Sequence, residues 1–231
     1  MCKFSNDTTS EGVHEKAVQY QLHDDRDALC PEYEFEPTYY GQGPGTYTID
    51  DYMALPDEKR VELIDGRFYE MNAPHTGHNV LADEIRQAFT LYIRKNRGKC
   101  LAITSPVDVQ LDRDNKTMLQ PDVALVCDRK KFVRGIIYGA PDLTVEVLSP
   151  STRSKDLLLK LRKYRNAGVR EYWIVDPQSR QITVHRFDGD ADSCAVYQST
   201  DRVPVGIFGG GCTVDFEEIF GYAEFLLDEN A

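Results

Sequence analysis

Two acidic residues in apolar surroundings are the side chains best suited to chemistry in this chain of 231 residues. Asp122 follows Pro121 at the head of a predicted strand, and Glu146 lies within the apolar run 143–148. An ionised carboxylate inside an apolar strand is costly unless it is paired or bound to a metal. On neighbouring strands, the two carboxylates could hold a hard cation through oxygen ligands and leave positions for water and phosphate. The alternative is structural: Glu146 pairs with an arginine, and Asp122 caps a turn.

The helix predicted after the second carboxylate carries a lysine that could act with this acidic pair. At 100° per residue, the buried side of that helix is defined by three residues within about 60° of arc: Leu157, Leu161 and Tyr164. Lys160 lies on the edge of this stripe, so its aliphatic stem can pack there while its ammonium group reaches over the sheet. By the same geometry Lys155 and Arg162 point away. The alternative for Lys160 is an ion pair with Asp156, four residues earlier, which is worth only tenths of a kcal/mol.

Three elements are predicted ahead of these residues. Thr48 is a suitable N-cap for a short helix whose first turn is acidic. Residues 61–71 form two apolar runs around Asp65-Gly66, which favours a tight hairpin because both turn positions need a positive φ. Residues 78–95 carry the single apolar stripe of an amphipathic helix.

The remaining segments complete an α/β domain. A helix is predicted over 156–167, closed by Gly168 as the residue after its C-terminus. The predicted strands cover 102–109, 121–127, 143–148, 172–176 and 181–187. The C-terminal region is expected to add a strand or two and a short last helix. The order of elements predicts a mixed β-sheet flanked by helices.

Several of these motifs, in the same order and spacing, resemble one known family. They are Glu62-Leu-Ile-Asp-Gly66, His78 at a helix start, Pro121-Asp122, Pro141-Asp-Leu-Thr-Val-Glu146-Val-Leu-Ser-Pro-Ser-Thr152, Asp156 with Lys160, and Gly168-Val-Arg-Glu-Tyr-Trp-Ile-Val-Asp-Pro177. From about residue 47 to 187 the chain resembles the Uma-type restriction endonucleases, a branch of the PD-(D/E)XK nuclease superfamily. The resemblance implies a restriction-endonuclease-like α/β fold with Mg²⁺ held by Asp122 and Glu146. The superfamily's E-x-K pattern would put lysine at Leu148, and Lys160 matches the position to which the family's lysine has moved.

The resemblance implies a role in phosphodiester hydrolysis for five residues. A metal between Asp122 and Glu146 would polarise the scissile phosphate and lower the pKa of a bound water, with Mn²⁺ expected to replace Mg²⁺. Lys160 would orient that water or stabilise negative charge developing on the phosphoryl oxygens. Glu62 would complete the metal's shell, often through water; alternatively it is an exposed carboxylate at a strand end. His78 would contact phosphate or the attacking water; alternatively it is structural.

The distribution of charge is compatible with a nucleic-acid partner although the formal net charge is −11. Residues 129–170 carry eleven basic and three acidic side chains, between acidic ends at 1–45 and 188–231. Only the local charge bears on what that surface binds. The side chains expected to contact a nucleic-acid backbone are Lys130, Lys131, Arg134, Lys163 and Arg165. The alternative for each of them is a place on a solvated charged face. Since one site per chain must cut both strands of a duplex, DNA cleavage favours a homodimer.

Composition narrows the class of protein. Hydrophobic residues make up 41% of the chain and charged residues 28%, which excludes fibrous and fully disordered classes. No apolar run approaches the roughly 18 residues of a membrane span, and the start lacks the apolar stretch of a secretory signal. The six cysteines lack the paired spacing of a zinc site. Cys127 ends an apolar run and is predicted to be a buried free thiol, as expected of a reduced cytoplasmic protein.

The domain organisation follows from a glycine-proline cluster that ends at Gly45. We expect an acidic N-terminal tail over 1–45, flexible or docked, and one restriction-endonuclease-like domain over 46–231. The leading hypothesis is a Mg²⁺-dependent DNA endonuclease. The alternatives are a non-catalytic nucleic-acid-binding or regulatory protein on the same fold, and a metal-dependent hydrolase of smaller phosphate compounds. The presence of Asp122, Glu146 and Lys160 together favours catalysis.

Overall fold

The computed structural model describes residues 45–227, apart from 57, 151 and 188–191, together with two short strands nearer the N-terminus. The strands are β1 (Val18–Gln21), β2 (Tyr39–Tyr40), β3 (Val61–Ile64), β4 (Arg67–Glu70), β5 (Leu101–Thr104), β6 (Val109–Gln110), β7 (Met118–Leu119), β8 (Val123–Val126), β9 (Phe132–Val133), β10 (Ile136–Tyr138), β11 (Leu143–Val147), β12 (Glu171–Asp176), β13 (Gln181–Phe187), β14 (Asp192–Gln198), β15 (Arg202–Pro204) and β16 (Thr213–Asp215). The helices are α1 (Ile49–Met53), α2 (Thr76–Lys95), α3 (Leu161–Ala167) and α4 (Phe216–Leu227), and a π-helical segment, Lys155–Lys160, leads directly into α3.

Two seven-stranded sheets organise these elements. The first sheet has the order β1-β14-β13-β12-β11-β8-β5, and only its β11–β12 pair is parallel. The second sheet has the order β2-β4-β3-β7-β6-β10-β9, and only its β10–β6 pair is parallel. β15 and β16 form a separate antiparallel pair. The predicted mixed sheet flanked by helices is therefore confirmed.

Two neighbouring chain segments near the site cross together from the first sheet to the second. β5 pairs with β8 in the first sheet, and their chain neighbours β6 and β7 pair in the second. The single strand predicted over 102–109 is therefore wrong. Pro106 has no N–H to donate to a ladder, and the chain leaves the first sheet after Thr104. The crossing of the two sheets brings the segment before β8 next to the second sheet.

Each face of the first sheet has its own core. α2 and α4 pack against one face, where alternate residues of β11 and β12 such as Val145 and Trp173 are buried. The opposite face packs against the second sheet and Tyr164 of α3. Because side chains alternate along a strand, Thr144 and Glu146 face this second core. Every residue of β11 is therefore buried, including the polar Thr144 and the charged Glu146.

The local predictions in the N-terminal half of the domain are confirmed. Thr48 caps α1 through its side chain, which accepts a hydrogen bond from the backbone N–H of Asp51. At the β3–β4 turn, Asp65 and Gly66 have φ values of 50° and 75°, as a tight hairpin requires. A Cβ at Gly66 would also lie 2.8 Å from the carbonyl carbon of Gly45. Glycine is therefore needed at this position both for its positive φ and for the close approach of Gly45.

The predicted state of Cys127 is wrong. Cys100 and Cys127 form a disulfide. The antiparallel register that pairs Leu101 with Val126 continues to these two cysteines, so they are cross-strand neighbours. The apolar run alone did not reveal a partner at position 100, whereas the strand register does. Cys194 and Cys212 are free thiols.

Three further findings bear on the sequence predictions. In the described part of the chain, no helix is long and apolar enough to cross a membrane. Within the predicted tail, β1 pairs with β14 and β2 with β4; the other predictions for 1–44 lie outside the described residues. The apolar segment that starts at Val205 packs against the chain's own first core, so it is not available for the contacts of the expected homodimer.

Candidate active site

The register of β8 and β11 brings the two carboxylates predicted from the sequence to the same end of this strand pair. Val145 pairs with Val123 and Thr144 with Ala124 in an antiparallel ladder. Continuing this register by one residue sets Glu146 opposite Asp122. A hydrogen bond shows the same proximity of the two segments: the backbone N–H of Val147 donates 2.7 Å to Asp122 Oδ2.

His78 contacts the candidate site through Asp122. It lies in the first turn of α2, and its Nε2 is 3.1 Å from Asp122 Oδ2. Burial lowers the pKa of His78, but the hydrogen bond and the charge of Asp122 outweigh this effect and raise the pKa above its ordinary value. Among the described residues, nothing bonds to its buried Nδ1. The geometry therefore makes His78 a partner of Asp122.

Lys160 reaches Glu146 as the helical phase predicted. Its Nζ lies 2.9 Å from Glu146 Oε1, and the hydroxyl of Tyr164 donates a hydrogen bond of 2.7 Å to the same oxygen. Lys160 also lies 3.3 Å from Asp156 Oδ1, so the predicted ion pair on the helix exists beside the contact with the sheet. The two alternatives for Lys160 therefore coexist.

Glu62 is fully buried, so the alternative of an exposed strand-end carboxylate is wrong. It comes from β3 of the second sheet and accepts bonds from two lysines. Lys155 Nζ lies 2.6 Å from Glu62 Oε2, and Lys160 Nζ lies 2.9 Å from Glu62 Oε1. The backbone N–H of Gln120 donates a third bond, of 3.0 Å, to Oε1.

The predicted orientation of Lys155 is wrong. It is 5% exposed and directed at Glu62, whereas 100° per residue turned it away from the sheet. The cause is the π-helical geometry of Lys155–Lys160. In a π-helix the backbone bond joins residues i and i+5, so side chains five apart share a face. Arg162, beyond this segment, is exposed as predicted.

These side chains form what we call the buried charge cluster: Glu62, Glu146, Lys155, Asp156 and Lys160. Each is at most 5% exposed. Three carboxylates face two ammonium groups, so negative charge is in excess even before the neighbouring Asp122 is counted. Among the described residues, Asp122 Oδ1 and Glu146 Oε2 accept no hydrogen bond.

The electrostatics of the cluster follow from burial and this imbalance. Burial lowers the pKa of Lys160, but the carboxylates around it raise the pKa well above its ordinary value, so the ammonium stays protonated. Burial raises the pKa of Glu62, but Lys155 and Lys160 lower it to about 2. Burial raises the pKa of Glu146 well above its usual range; Lys160 opposes this, and the nearby carboxylates add to it. Glu146 is thus the carboxylate with the least compensated charge.

A divalent cation fits this donor set. The two carboxylate oxygens left without protein donors belong to residues opposite each other on adjacent strands. Oxygen donors with excess negative charge are what Mg²⁺ and Mn²⁺ prefer. Glu62 has ammonium or N–H partners on both oxygens, so a contact through water suits it better than direct ligation.

Several basic residues expected at a nucleic-acid surface have partners inside the chain. Lys163 bonds to Asp65 at 2.7 Å and also to Asp112, and Arg165 pairs with Asp192. Lys131 donates to the carbonyl of Ala140. The other two expected contacts, Lys130 and Arg134, are exposed.

A second acidic group lies beside the β3–β4 turn. Within the described residues, Asp65, Asp112 and Asp114 are the one set of three carboxylates with oxygens within 4.8 Å of one another. Lys163 already supplies a cation to two of them. This group is therefore explained as an ion-paired turn.

The family follows from a comparison with known sequences. The family model of Uma2, described as "Putative restriction endonuclease", matches residues 49–216. The chain belongs to the Uma2 family. The resemblance inferred from the motifs is thus confirmed.

Relatives of this Uma2 chain are similar in sequence and in fold. An uncharacterized protein of Synechocystis sp., slr1290, is 30% identical over 173 residues, which cover 72% of this chain and 88% of that protein. The crystal structure of "a putative nuclease belonging to DUF820" from Anabaena variabilis superposes with a TM-score of 0.63 at 20% identity. The superposition covers 76% of this chain and 98% of that one, and it shows that the fold is shared.

The sequence identified most of the site but missed some of its members. Glu146, Glu62 and Lys160 are in direct contact. Asp122 adjoins them through the backbone N–H of Val147 and carries His78 as its partner. Lys155 was missed because no pattern in Lys155–Lys160 distinguishes a π-helix from an α-helix. The burial of Tyr164 was predicted from its stripe, but its hydroxyl bond to Glu146 was not.

Proposed function

We propose that this Uma2 protein is a metal-dependent endonuclease that hydrolyses phosphodiester bonds in DNA. The observation that carries the proposal is the placement of Asp122 and Glu146 opposite each other, with the Lys160 ammonium bonded to Glu146. Two carboxylates and a lysine at one strand pair can provide a metal site and a fixed positive charge beside it. The description of the family as restriction endonucleases, and of the Anabaena protein as a nuclease, supports the same class of reaction.

Asp122 and Glu146 would hold Mg²⁺, or Mn²⁺ in its place, with Glu62 contributing through water. Bound there, the ion would polarise the scissile phosphate and lower the pKa of a water. Val147 and His78 fix the orientation of Asp122 through its Oδ2, which leaves Oδ1 for the ion. Tyr164 fixes Glu146 through Oε1 in the same way and leaves Oε2.

Lys160 would stabilise negative charge on the phosphoryl oxygens. Its ammonium stays protonated among three carboxylates, and the surrounding structure fixes its position before substrate arrives. A preorganised cation needs no rearrangement during the reaction, which is where such groups gain their effect. Lys155 holds Glu62, and Glu62 in turn holds Lys160, so we assign Lys155 a positioning role.

The remaining features of the proposal concern the partner. DNA is favoured by the basic middle of the sequence and by exposed Lys130 and Arg134. A two-fold homodimer would place two such sites on the two strands of a duplex. A cytoplasmic location stays a prediction, and the Cys100–Cys127 disulfide is unusual for that compartment.

Cleavage of supercoiled plasmid tests the proposal. Purified protein with Mg²⁺ or Mn²⁺ should convert the plasmid to nicked or linear forms, and EDTA should prevent this. Asp122→Asn should abolish the conversion because it removes a metal ligand. Asp83→Asn, a change of the same kind on the exposed part of α2, should leave it intact. Equal nicking by wild type and Asp122→Asn would assign the activity to a contaminant and reject the proposal.

A further inference from the structure

A cavity of about 370 Å³ opens where the chain crosses from the first sheet to the second. Its walls come from both sides of the crossing and include the apolar side chains of Ile103, Val107, Phe132 and Ile137. Asp108 and Gln120 are the two polar side chains in the lining, and polar atoms make up the larger part of the surface that faces the cavity. The volume lies within the range of small-molecule sites, and the mixed lining suits a ligand that is both aromatic and polar.

The polar side of the cavity is fixed by a closed set of hydrogen bonds. Tyr52 donates 2.8 Å to Asp108 Oδ1, and the Gln120 amide donates 2.9 Å to the same oxygen and 2.9 Å to the Tyr52 hydroxyl. Both amide hydrogens of Gln120 are therefore used. Among the described residues, no donor reaches Asp108 Oδ2 or Gln120 Oε1. The cavity thus presents hydrogen-bond acceptors to a ligand.

The cavity is directly connected to the proposed active site. The backbone N–H of Gln120 donates to Glu62, a member of the buried charge cluster. On the opposite strand, the N–H of Ser105 donates 3.0 Å to the carbonyl of Asp122. Ser105 lies between the lining residues Ile103 and Pro106 along the chain. The backbone of the cavity wall is therefore hydrogen-bonded to the segments that carry Glu62 and Asp122.

We propose that this cavity binds an unpaired nucleobase of the nucleic acid next to the scissile phosphate; this inference rests on the proposed function. Phe132 supplies an aromatic face, on which any base can stack. Asp108 accepts hydrogen bonds, so bases with an exocyclic amino group are preferred: a carboxylate accepts from cytosine N4, for example. Thymine has no amino group, and the two carbonyl oxygens that flank its single N3–H donor would be repelled by the Asp108 carboxylate. The inferred ligand is therefore a flipped or single-stranded adenine, cytosine or guanine.

Homopolymeric oligonucleotides test this because every position offers the same base. Twelve-nucleotide strands of adenine, of cytosine, of thymine and of abasic sugar-phosphate would compete with a fluorescent adenine strand in an anisotropy assay containing EDTA. We expect adenine and cytosine strands to bind at least about fivefold more tightly than the abasic strand, because stacking one base contributes about 1–3 kcal/mol. The thymine strand should lie between them.

Two variants assign this preference to the cavity. Phe132→Leu should bring the adenine strand closer to the abasic strand, and Asp108→Asn should remove the difference between adenine and thymine. Since Asp108→Asn also removes a negative charge, the readout is the ratio of affinities within each variant. Asp83→Asn makes the same charge change away from the cavity and should keep the wild-type ratios.

The outcomes separate this inference from the proposed function. Equal binding of base-bearing and abasic strands by the wild type, or unchanged ratios in both variants, would overturn the cavity's role even if the plasmid is cut. Base-dependent ratios that change in Phe132→Leu and Asp108→Asn, in a protein that does not cut plasmid, would support the cavity and reject the endonuclease. Circular dichroism of each variant confirms that it is folded.

Discussion

Glu62 lies between two ammonium groups, and removal of Lys155 should destabilise the fold. Breaking a buried ion pair from one side leaves an uncompensated charge and typically costs 3–5 kcal/mol. Because Lys160 still contacts Glu62 in this variant, we expect a cost at the lower end of this range. Lys155→Met should therefore reduce the free energy of unfolding by about 3 kcal/mol in urea titrations followed by circular dichroism.

The partner substitution provides the check on this prediction. Lys155→Met combined with Glu62→Gln should recover part of the loss, because the buried negative charge is gone as well. Arg162→Met, exposed in the same helix, should stay within about 0.5 kcal/mol of wild type. If Lys155→Met cost no more than Arg162→Met, the contact with Glu62 would contribute nothing to stability.

Lys160 should affect turnover more than metal binding. Lys160→Ala removes the charge proposed to face the phosphate, and the loss of one such stabilising group costs about 10²–10³ in rate. Lys160→Arg should rescue little, since a planar guanidinium does not replace a compact ammonium. Calorimetric titration with Mn²⁺ should still show binding, because lysine is not a ligand. A variant that lost Mn²⁺ binding together with cleavage would contradict this division of roles.

At the scale of single residues, alternation and helical phase were sufficient wherever the backbone is regular. Glu146 points away from the α2 face because side chains alternate along β11, which is readable from sequence. Lys160 was found from the position of its apolar neighbours. Lys155 was misplaced because its orientation depends on which backbone hydrogen bonds form, and Leu157 to Leu159 suit an α-helix equally well.

At the scale of elements, the disulfide ties β5 to β8, the strand pair from which Asp122 extends. The cross-link closes a loop with a sequence separation of 27 residues. Restricting the unfolded chain over such a loop stabilises the folded state by about 3 kcal/mol. We expect dithiothreitol to lower the free energy of unfolding of the wild type by about this amount, measured in urea. Cys100→Ser should be equally destabilised without the reductant and insensitive to it.

The strands crossing between sheets show why element boundaries were harder to predict than element types. The segment 102–109 was predicted as one strand because apolar residues lie on both sides of Ser105-Pro106. Pro106, which cannot donate to a ladder, was a sign of a break there. It does not indicate that Thr104 and Val109 belong to different sheets. By contrast, the hairpin at Asp65-Gly66 was placed correctly because its turn requires residues that tolerate a positive φ.

Stability of the whole molecule should decline below neutral pH partly through His185. Burial lowers the pKa of His185 to about 4. The unfolded chain takes up the proton near its ordinary pKa of about 6.5, and the folded chain does so only near 4. The contribution is therefore present above about pH 6.5 and is lost as the pH falls toward 4. Through this group, the free energy of unfolding at pH 5 should be about 1–2 kcal/mol lower than at pH 7.5.

Removing the titrating group isolates this effect from the other acid-sensitive residues. His185→Gln keeps a polar side chain without a titration, so its stability should fall less between pH 7.5 and 5 than that of the wild type. Urea titrations at the two pH values measure the difference. Parallel pH dependences in the two proteins would mean that His185 titrates alike in the folded and unfolded states.

The proposed dimer is a property of the whole molecule, and α4 offers the apolar surface for it. Tyr222 and Phe225 are each 65% exposed on this helix. Light scattering at micromolar concentration should give twice the mass of the 26.3 kDa chain. Tyr222→Ser with Phe225→Ser should shift the mass toward the monomer without loss of helix signal. A strict monomer in the wild type would favour nicking of one strand over double-strand cleavage.

The π-helical segment before α3 also affects how this protein tolerates insertions and deletions. A π-turn contains one residue more than the α-turn it replaces, so Lys155–Lys160 is equivalent to an α-helix with a single inserted residue. Deletion of one residue among Leu157, Leu158 and Leu159 would leave every charged side chain of the cluster in the protein. The helix could then close to α geometry, in which the two lysines are four residues apart and again lie on one face. A deletion of one leucine, which removes no charge, would thus leave both cations on the side of the helix that faces Glu62.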